Sequence, residues 1–242
     1  MHTYMKITLF AGMLIGFLLF FTSCDDNDPS FLNQDRIYTS YELYYNGNAD
    51  KTYARATFKL ENKYGTLLKL GDISSIIFKI NDSIPLMHLD YLNEYGYYEK
   101  ERSEFWYNSG MFYFTNEEET QYVNNIHVNV ATFPETIDTI VQGKSWELSW
   151  DAQQSIALEE NESISLTFTG IEHGDVHTFH QFEEGSESII ISRDETSELE
   201  PGTYTLFLDR RYQPELTQKA SAGGTITGRY RPANRTVVVV EE

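Results

Sequence analysis

The residues best suited to metal chemistry are three histidines and an aspartate that lie close together: His173, Asp175, His177 and His180. Imidazole nitrogens and carboxylate oxygens are ligands that zinc and copper accept. On an extended strand, however, His177 and His180 point to opposite faces, whereas His173, Asp175 and His177 share one face. The alternative is a polar hairpin after Gly170 that carries surface histidines. We expect no metal and no other cofactor.

The acidic residues single out no catalytic pair. Asp and Glu number 37, so some carboxyl groups will lie close together by chance. A glycosidase needs two that flank a cleft, one of them with a raised pKa. The run Glu117-Glu118-Glu119 predicts a solvated loop, and the G-x-S-x-G, Walker, H-E-x-x-H and EF-hand spacings are missing from the sequence. We therefore predict a non-enzymatic protein; the alternative is a carbohydrate-active hydrolase with an unrecognised acidic pair.

Aromatic side chains are the better candidates for ligand binding. Tyr and Trp combine flat apolar faces with polar edges, which suits them to stack on sugar rings or to anchor a protein interface. Glycine and acidic neighbours in the stretch from 95 to 98 predict an exposed loop there. We predict that the ligand-binding residues are Tyr95, Tyr97, Tyr98, Trp106 and Tyr107. The alternative is that these rings complete a tyrosine-rich core.

The N-terminal segment is typical of an export signal. Lys6 precedes the uncharged apolar run from Ile7 to Phe21, which is shorter than the roughly 20 residues of a membrane-spanning helix. The stretch Phe21-Thr22-Ser23-Cys24 resembles a bacterial lipobox, although Leu usually stands at the first of these positions and Ala or Ser at the second. The resemblance implies that the Cys24 thiol is acylated, for example with palmitate, and that the peptide before it is removed. Cys24 is the only cysteine, so the folded part can form no internal disulfide.

The four residues after this cysteine carry a second resemblance. Asp25-Asp26-Asn27-Asp28 resembles the acidic tract of Bacteroidetes-type surface lipoproteins, which implies attachment to the outer membrane with exposure at the cell surface. The simpler interpretation is a solvated linker, because such a composition does not bury enough surface to fold, and both interpretations can hold at once.

The charge of the chain excludes nucleic acid as a partner. The formal charge is −19, and removal of residues 1–23, which contain one lysine and no acid, makes it −20. Nucleic-acid binding depends on Lys and Arg that neutralise phosphates. The same charge disfavours direct contact with anionic lipid, so we expect membrane attachment through the acyl chains alone.

Alternation of apolar and polar residues with period two predicts β-strands along most of the chain. It is clearest from Tyr53 to Leu60 and recurs in many short segments separated by turns such as Asn108-Ser109-Gly110. Helical periodicity is confined to residues 86–93 and 215–220. The predicted fold class is all-β, with two antiparallel immunoglobulin-like β-sandwiches in tandem after a lipoprotein signal peptide.

The segment LEPGTYTL, from Leu199 to Leu206, supports this fold class. It resembles the tyrosine corner of immunoglobulin-like folds, which implies that the Tyr204 hydroxyl bonds back to the corner backbone and that Leu206 is a core residue. Taken together, the chain resembles a Bacteroidetes-type surface lipoprotein with tandem immunoglobulin-like domains. This resemblance implies a location and a fold but no site residues.

We predict a signal peptide (1–23), a lipidated acidic linker (24–36), a first β-sandwich (37–133) and an immunoglobulin-like second β-sandwich (134–242). The boundary near Phe133-Pro134 separates two sets of predicted strands, and one large sandwich is the alternative. The sequences Asp82-Ser83-Ile84 and Asp138-Thr139-Ile140 resemble O-glycosylation acceptors of the same bacterial group.

The predicted function is a cell-surface binding module for a glycan or a protein. The alternative is a pilus-like assembly subunit that donates the run from Thr236 to Val240 to the sheet of a neighbour. More simply, that run completes the second sandwich of its own chain and is thereby protected from aggregation.

The lipid anchor is tested by mass spectrometry of the native protein. We expect a mass that corresponds to loss of residues 1–23 and acylation of Cys24. A free thiol with the leader still attached would contradict both the anchor and the predicted location.

Overall fold

The computed structural model describes residues 32–91, 95–105, 108–151 and 157–242, with 88–91 and 95 described in their backbone only. Strands dominate these ranges, which confirms the all-β prediction; a 3-10 turn spans Gln34–Arg36 and an α-helix, α1, spans Arg193–Ser197. The strands are β1 (Ile37–Asn46), β2 (Lys51–Leu60), β3 (Ser75–Lys79), β4 (Ser83–Pro85), β5 (Met87–Tyr91), β6 (Tyr95–Ser103), β7 (Ser109–Thr115), β8 (Gln121–His127), β9 (Ile140–Val141), β10 (Trp146–Ser149), β11 (Glu162–Gly170), β12 (Val176–Gln181), β13 (Ser188–Ile191), β14 (Gly202–Tyr212), β15 (Gly224–Arg231) and β16 (Arg235–Val240).

The strands form three sheets within the described ranges. A ten-stranded sheet has the order β12-β11-β14-β15-β1-β2-β6-β5, with β16 paired to β14 and β9. A four-stranded sheet has the order β4-β3-β7-β8, and β10 pairs with β13. Strands such as β2 and β11 bury every second residue, as the period-two pattern predicts, because alternate side chains of a strand point to opposite faces.

Two hydrophobic clusters lie on the inner face of the long sheet. The first is built mainly from residues 37–130 and the second mainly from 131–239. The changeover falls between Val130 and Ala131, close to the predicted boundary at Phe133-Pro134. Each cluster packs between a small sheet and one part of the ten-stranded sheet, which is the layering of a β-sandwich.

The chain crosses between the two clusters more than once. Leu216, Ile226 and Tyr230 belong to the first cluster although they follow the strands of the second, and Val237 and Val239 return to the second. The first sandwich is therefore completed by β15, which lies within the predicted second domain. Leu32 packs against the first cluster and Gln34 is buried, so residues 32–36 of the predicted linker belong to the fold.

Two parallel strand pairs depart from the predicted antiparallel pattern. β15 runs parallel to β1 from Thr39↔Gly224 to Asn46↔Arg231, and β16 runs parallel to β9. Parallel neighbours need a long crossover connection. Here the chain between β1 and β15 includes most strands of both clusters. The β1–β15 pairing could therefore not be predicted from a local sequence pattern.

The tyrosine corner is confirmed. The Tyr204 hydroxyl lies 3.0 Å from the carbonyl oxygen of Glu200, and Leu206 is fully buried. The run from Thr236 to Val240 lies in β16, which pairs with β14 on one side and with β9 on the other. It therefore completes a sheet of its own chain, as the simpler of the two sequence interpretations predicts.

The two predicted helical segments are wrong. Residues 87–91 form β5, which pairs along β6, and residues 215–220 contain no helix. Leu216 and Ala220 are both buried, so their spacing mimics a helical face. The observed helix α1 begins with a capping box, in which the Ser192 hydroxyl accepts from the Glu195 backbone and the Glu195 carboxylate accepts from the Ser192 backbone. The S-x-x-E signature was visible in the sequence.

The predicted turn at Asn108-Ser109-Gly110 is also wrong, because Ser109 and Gly110 begin β7. The glycine has a packing role rather than a turning role. The ring of Phe78 occupies the space into which a Cβ at position 110 would project.

A buried ion pair lies where β14 passes from one cluster to the other. Arg210 donates from Nε to Oε1 of Glu162 at 3.1 Å and from Nη2 to Oε2 at 2.5 Å, and the two side chains are 1% and 0% exposed. Asn129 donates to the same carboxylate at 3.0 Å, and Ala157 accepts from Arg210 at 2.8 Å. The pair thus joins β11, β14 and the segment that ends the first cluster.

Removal of one member of this pair is expected to destabilise the protein strongly. Arg210→Met leaves a buried carboxylate without its cation, which lowers the free energy of unfolding by about 3–5 kcal/mol. Arg211→Met is the matched control, since Arg211 is exposed and such changes alter stability by about 0.5 kcal/mol or less. Urea denaturation measures both. Equal effects of the two variants would contradict the assigned role, and adding Glu162→Leu to Arg210→Met should restore part of the loss.

Candidate functional site

The predicted ligand-binding stretch from Tyr95 to Tyr98 is not a loop but the start of β6. Its side chains alternate, so Tyr97 and Tyr98 lie on opposite faces of the sheet. Tyr98 is buried in the first cluster, where it packs edge-on against Phe58 and accepts a hydrogen bond from the Leu70 backbone at 2.6 Å. Its prediction as a ligand-binding residue is therefore wrong.

Tyr97 is half-buried on the outer face of the ten-stranded sheet. The side chain of Tyr95 and the whole of Trp106 and Tyr107 lie outside the described residues. Their roles stay predictions.

An open groove of about 480 Å³ lies beside Tyr97. We call it the Tyr97 groove. It crosses four neighbouring strands, β15, β1, β2 and β6. The side chains that line it from the outer face are Ser40, Glu42, Arg55, Thr57, Tyr97 and Thr227.

Arg55 is the charged centre of the groove. Cross-strand register places Glu42 and Glu99 opposite it on the two flanking strands. The guanidinium bonds to Glu99, lies 3.6 Å from a carboxylate oxygen of Glu42, and is 4.5 Å from the ring centroid of Tyr53. Because the two carboxylates and the ring hold the guanidinium from several sides, the groove is preorganised.

Stacked cations and rings continue from the groove along the outer face. The Arg229 guanidinium lies 4.7 Å from the ring centroid of Tyr44, and Tyr44 stacks on Tyr53 with centroids 5.9 Å apart. We call the row Arg229, Tyr44, Tyr53 and Arg55 the arginine–tyrosine ladder. The first two steps join residues on adjacent strands and the last joins Tyr53 to Arg55 within β2. Contacts of this kind contribute about 0.5–1 kcal/mol each at partly exposed sites.

Asp209 anchors the far end of the ladder. Its carboxylate accepts from Arg229 Nε at 2.7 Å and from Arg231 Nε at 3.0 Å. Burial acts to raise the pKa of Asp209, but the hydrogen bonds from the two guanidiniums outweigh it and hold the pKa below its ordinary value. The ladder's cations are therefore neutralised by carboxylates at both ends.

The histidine cluster lies on the hairpin formed by β11 and β12, which agrees with the alternative interpretation of the sequence. Asp175, His177 and Tyr204 form a polar network at the tyrosine corner, whereas His180 bonds to Ser165. Asp175 Oδ2 lies 3.0 Å from His177 Nε2 and 2.7 Å from the Tyr204 hydroxyl. The carboxylate also fills the space that a Cβ at Gly170 would take. Within the described ranges, no group of three His, Cys, Asp or Glu side chains is arranged to hold a metal ion.

The acidic run between β7 and β8 is only partly a solvated loop. Glu118 and Glu119 are exposed, but Glu117 accepts hydrogen bonds from the Ser74 hydroxyl at 2.7 Å and backbone at 3.2 Å. In the two predicted glycosylation tripeptides, Ser83 and Thr139 are exposed. Their modification stays a prediction.

No family model matches the chain, and no curated protein matches it. Solved structures are similar at low identity. A cytokine receptor complex is 8% identical with a TM-score of 0.33, over 83% of this chain and 95% of that one. A Bacteroides ovatus protein, SGBP-B of a mixed-linkage glucan utilization locus, solved with a mixed-linkage heptasaccharide, is 13% identical with a TM-score of 0.26, over 80% of this chain. A tetra-tandem repeat of a large adhesion protein is 11% identical with a TM-score of 0.26, over 83% of this chain. The match spans about half of the latter two chains, 54% and 49%.

Of the helices in the described ranges, none has the length and apolar character needed to cross a membrane.

The Asp175 network predicts a pH-dependent contribution to stability. Burial acts to raise the pKa of Asp175, but hydrogen bonds from Tyr204 and His177 outweigh it and the pKa is lowered. A carboxylate with a lowered pKa stabilises the fold above its unfolded-state pKa of about 3.9, and this contribution is lost as the pH falls through the folded-state pKa.

We therefore expect Asp175→Asn to lower the free energy of unfolding by about 1–2 kcal/mol at pH 7 and the difference from wild type to shrink below about pH 4. Denaturation at a series of pH values measures it. Asp72→Asn, at an exposed position, is the control and should show no such trend. If the free energy of unfolding of Asp175→Asn stays below that of wild type by the same amount down to pH 2, the role of the network is refuted.

Proposed function

We propose that this protein is a lipid-anchored surface module, without enzymatic activity, that binds a neutral glycan in the Tyr97 groove. The observation that carries the proposal is the placement of one aromatic ring, a carboxylate–guanidinium pair and several hydroxyl groups around one open groove. Its volume of about 480 Å³ lies within the roughly 300–1,000 Å³ typical of ligand sites.

The chemistry of the lining suits a sugar. The apolar face of a pyranose ring stacks on a tyrosine ring, as other flat apolar surfaces do. Sugar hydroxyls both donate and accept hydrogen bonds, so they match Glu42 and Arg55 together with the hydroxyls of Thr57 and Thr227. Bonds to ionised groups are shorter and stronger than neutral ones, and here those groups are already held in place.

The charge balance favours a neutral glycan over an acidic one. Arg55 is the cation of the groove, and it is matched by Glu42 and Glu99. A uronate or sulfate group would therefore have to displace a carboxylate that is already bonded. The formal charge of −19 adds long-range repulsion of polyanions.

The geometry supports this function better than the alternatives. An assembly subunit that donates its C-terminal strand needs that strand unpaired, whereas β16 is paired on both sides. A hydrolase needs two carboxyl groups poised on either side of the scissile bond. In the groove, Glu42 and Glu99 both engage the same guanidinium.

The cellular location is part of the proposal and rests on the sequence. The lipobox-like residues that end in Cys24 and the acidic tract after them favour acylation and display at the outer face of the outer membrane. They lie outside the described residues.

The test is calorimetric titration of the mature chain, in detergent, with neutral cello-, xylo- and manno-oligosaccharides and with acidic oligogalacturonides. We expect a neutral oligosaccharide to bind and Tyr97→Ala to weaken its binding at least tenfold, or by about 1.4 kcal/mol. Glu42→Gln should also weaken it, since it removes a charge-assisted hydrogen bond.

Tyr64→Ala is the control for loss of a tyrosine, because Tyr64 is 84% exposed and does not line the groove. Unchanged affinity in Tyr97→Ala, or selective binding of oligogalacturonides, would overturn the proposal.

A further inference from the structure

A second cavity, of about 620 Å³, lies away from the Tyr97 groove. One wall is the outer face of the four-stranded sheet, where Lys79, Met111 and Asn125 lie on neighbouring strands. The other wall is Tyr212, the last residue of β14, together with the segment that follows it, including Glu215. We call it the Asn125 cleft. It shares no lining residue with the groove.

The walls of the cleft are fixed relative to each other. The Tyr212 ring stacks on the His127 ring with centroids 3.9 Å apart. Just beyond the cleft, the Gln218 backbone donates to Asn124 Oδ1 at 3.0 Å and accepts from Asn124 Nδ2 at 2.9 Å. The buried side chain of Leu216 anchors the same segment in the first cluster. The irregular segment is therefore held against β8 without regular strand pairing.

Several polar side chains of the cleft have no partner in the described part of the protein. Asn81, Asn125 and Glu215 make no side-chain hydrogen bond or ion pair there, and the Lys79 ammonium lies 5.8 Å from the centroid of the Tyr113 ring. This contrasts with the groove, where the charged groups bond to one another. The cleft thus presents two amides, a carboxylate and an ammonium group whose bonding capacity is open to a ligand.

The composition of the lining indicates the class of ligand. Amides supply donors and acceptors side by side, and Tyr212 and Met111 add an aromatic and an apolar surface. One ammonium and one carboxylate balance, so the cleft has no excess positive charge for a phosphate or a nucleic acid. We propose that the Asn125 cleft is a second binding site, for a neutral oligosaccharide.

This site is independent of the Tyr97 groove, so each can be tested with the other silenced. The full mature chain carrying Tyr97→Ala is titrated with neutral cello-, xylo- and manno-oligosaccharides, and then with Asn125→Ala and Glu215→Ala added. We expect binding in the Tyr97→Ala background and at least a tenfold loss of affinity on adding the two cleft substitutions. The His127 ring signals in NMR spectra should shift on ligand addition and stop shifting in the cleft variant.

Gln121→Ala is the matched control, since Gln121 is exposed on the same strand and face as Asn125 and lies outside the cleft. Because the substituted side chains have no partners, the melting temperature should stay within a few degrees of wild type.

Each result decides between the two sites. Loss of all binding in Tyr97→Ala alone overturns the cleft and leaves the groove intact. Binding that survives the cleft substitutions, binding of oligogalacturonides only, or binding to no sugar in any variant also overturns the cleft. Binding that is insensitive to Tyr97→Ala but lost in Asn125→Ala supports the cleft and refutes the groove.

Discussion

The fold depends on one buried ion pair at the place where two hydrophobic clusters share a sheet. Arg210 and Glu162 are almost fully buried, so their charges are tolerable only together and only with Asn129 and the Ala157 carbonyl in place. Glu162 lies in β11, Arg210 lies in β14 and Asn129 lies at the end of the first cluster. The pair therefore sets where β14 stops packing in one cluster and begins to pair with β15, whose residues belong to the other.

The pairing of β14 with β15 produces the long sheet and hence the face that carries the Tyr97 groove. Since β15 joins β14 to β1, the outer side chains of both clusters' strands form one continuous surface. Arg229 meets Tyr44, and Arg55 meets both Glu42 and Glu99, only because the strand registers bring them opposite each other. The arginine–tyrosine ladder therefore depends on strand register, because a shift of one residue would turn each of these side chains toward the core.

Particular elements show what could be predicted and why other features could not. The strands of the first half and the tyrosine corner follow from local rules, namely alternation and a short turn, and the structure has them. The failures at residues 86–93 and 215–220 came from short apolar spacings, where pairing with β6 and burial in the first cluster override local preference. Tyr98 was taken for a ligand residue because neighbouring tyrosines look alike in sequence, although adjacent strand positions face opposite sides.

The sequence by itself determined the all-β class, the two faces of each strand and the excess of negative charge, because these depend on composition and on neighbours along the chain. It also contained the capping box of α1 and the lipobox-like residues that end in Cys24. Only the tertiary structure decided that β15 completes the first sandwich, that Arg55 stands between two carboxylates, and that Asn125 and Glu215 face one cleft. Those outcomes are pairings between residues far apart in the chain, and their free energy comes from register and burial that no local window contains.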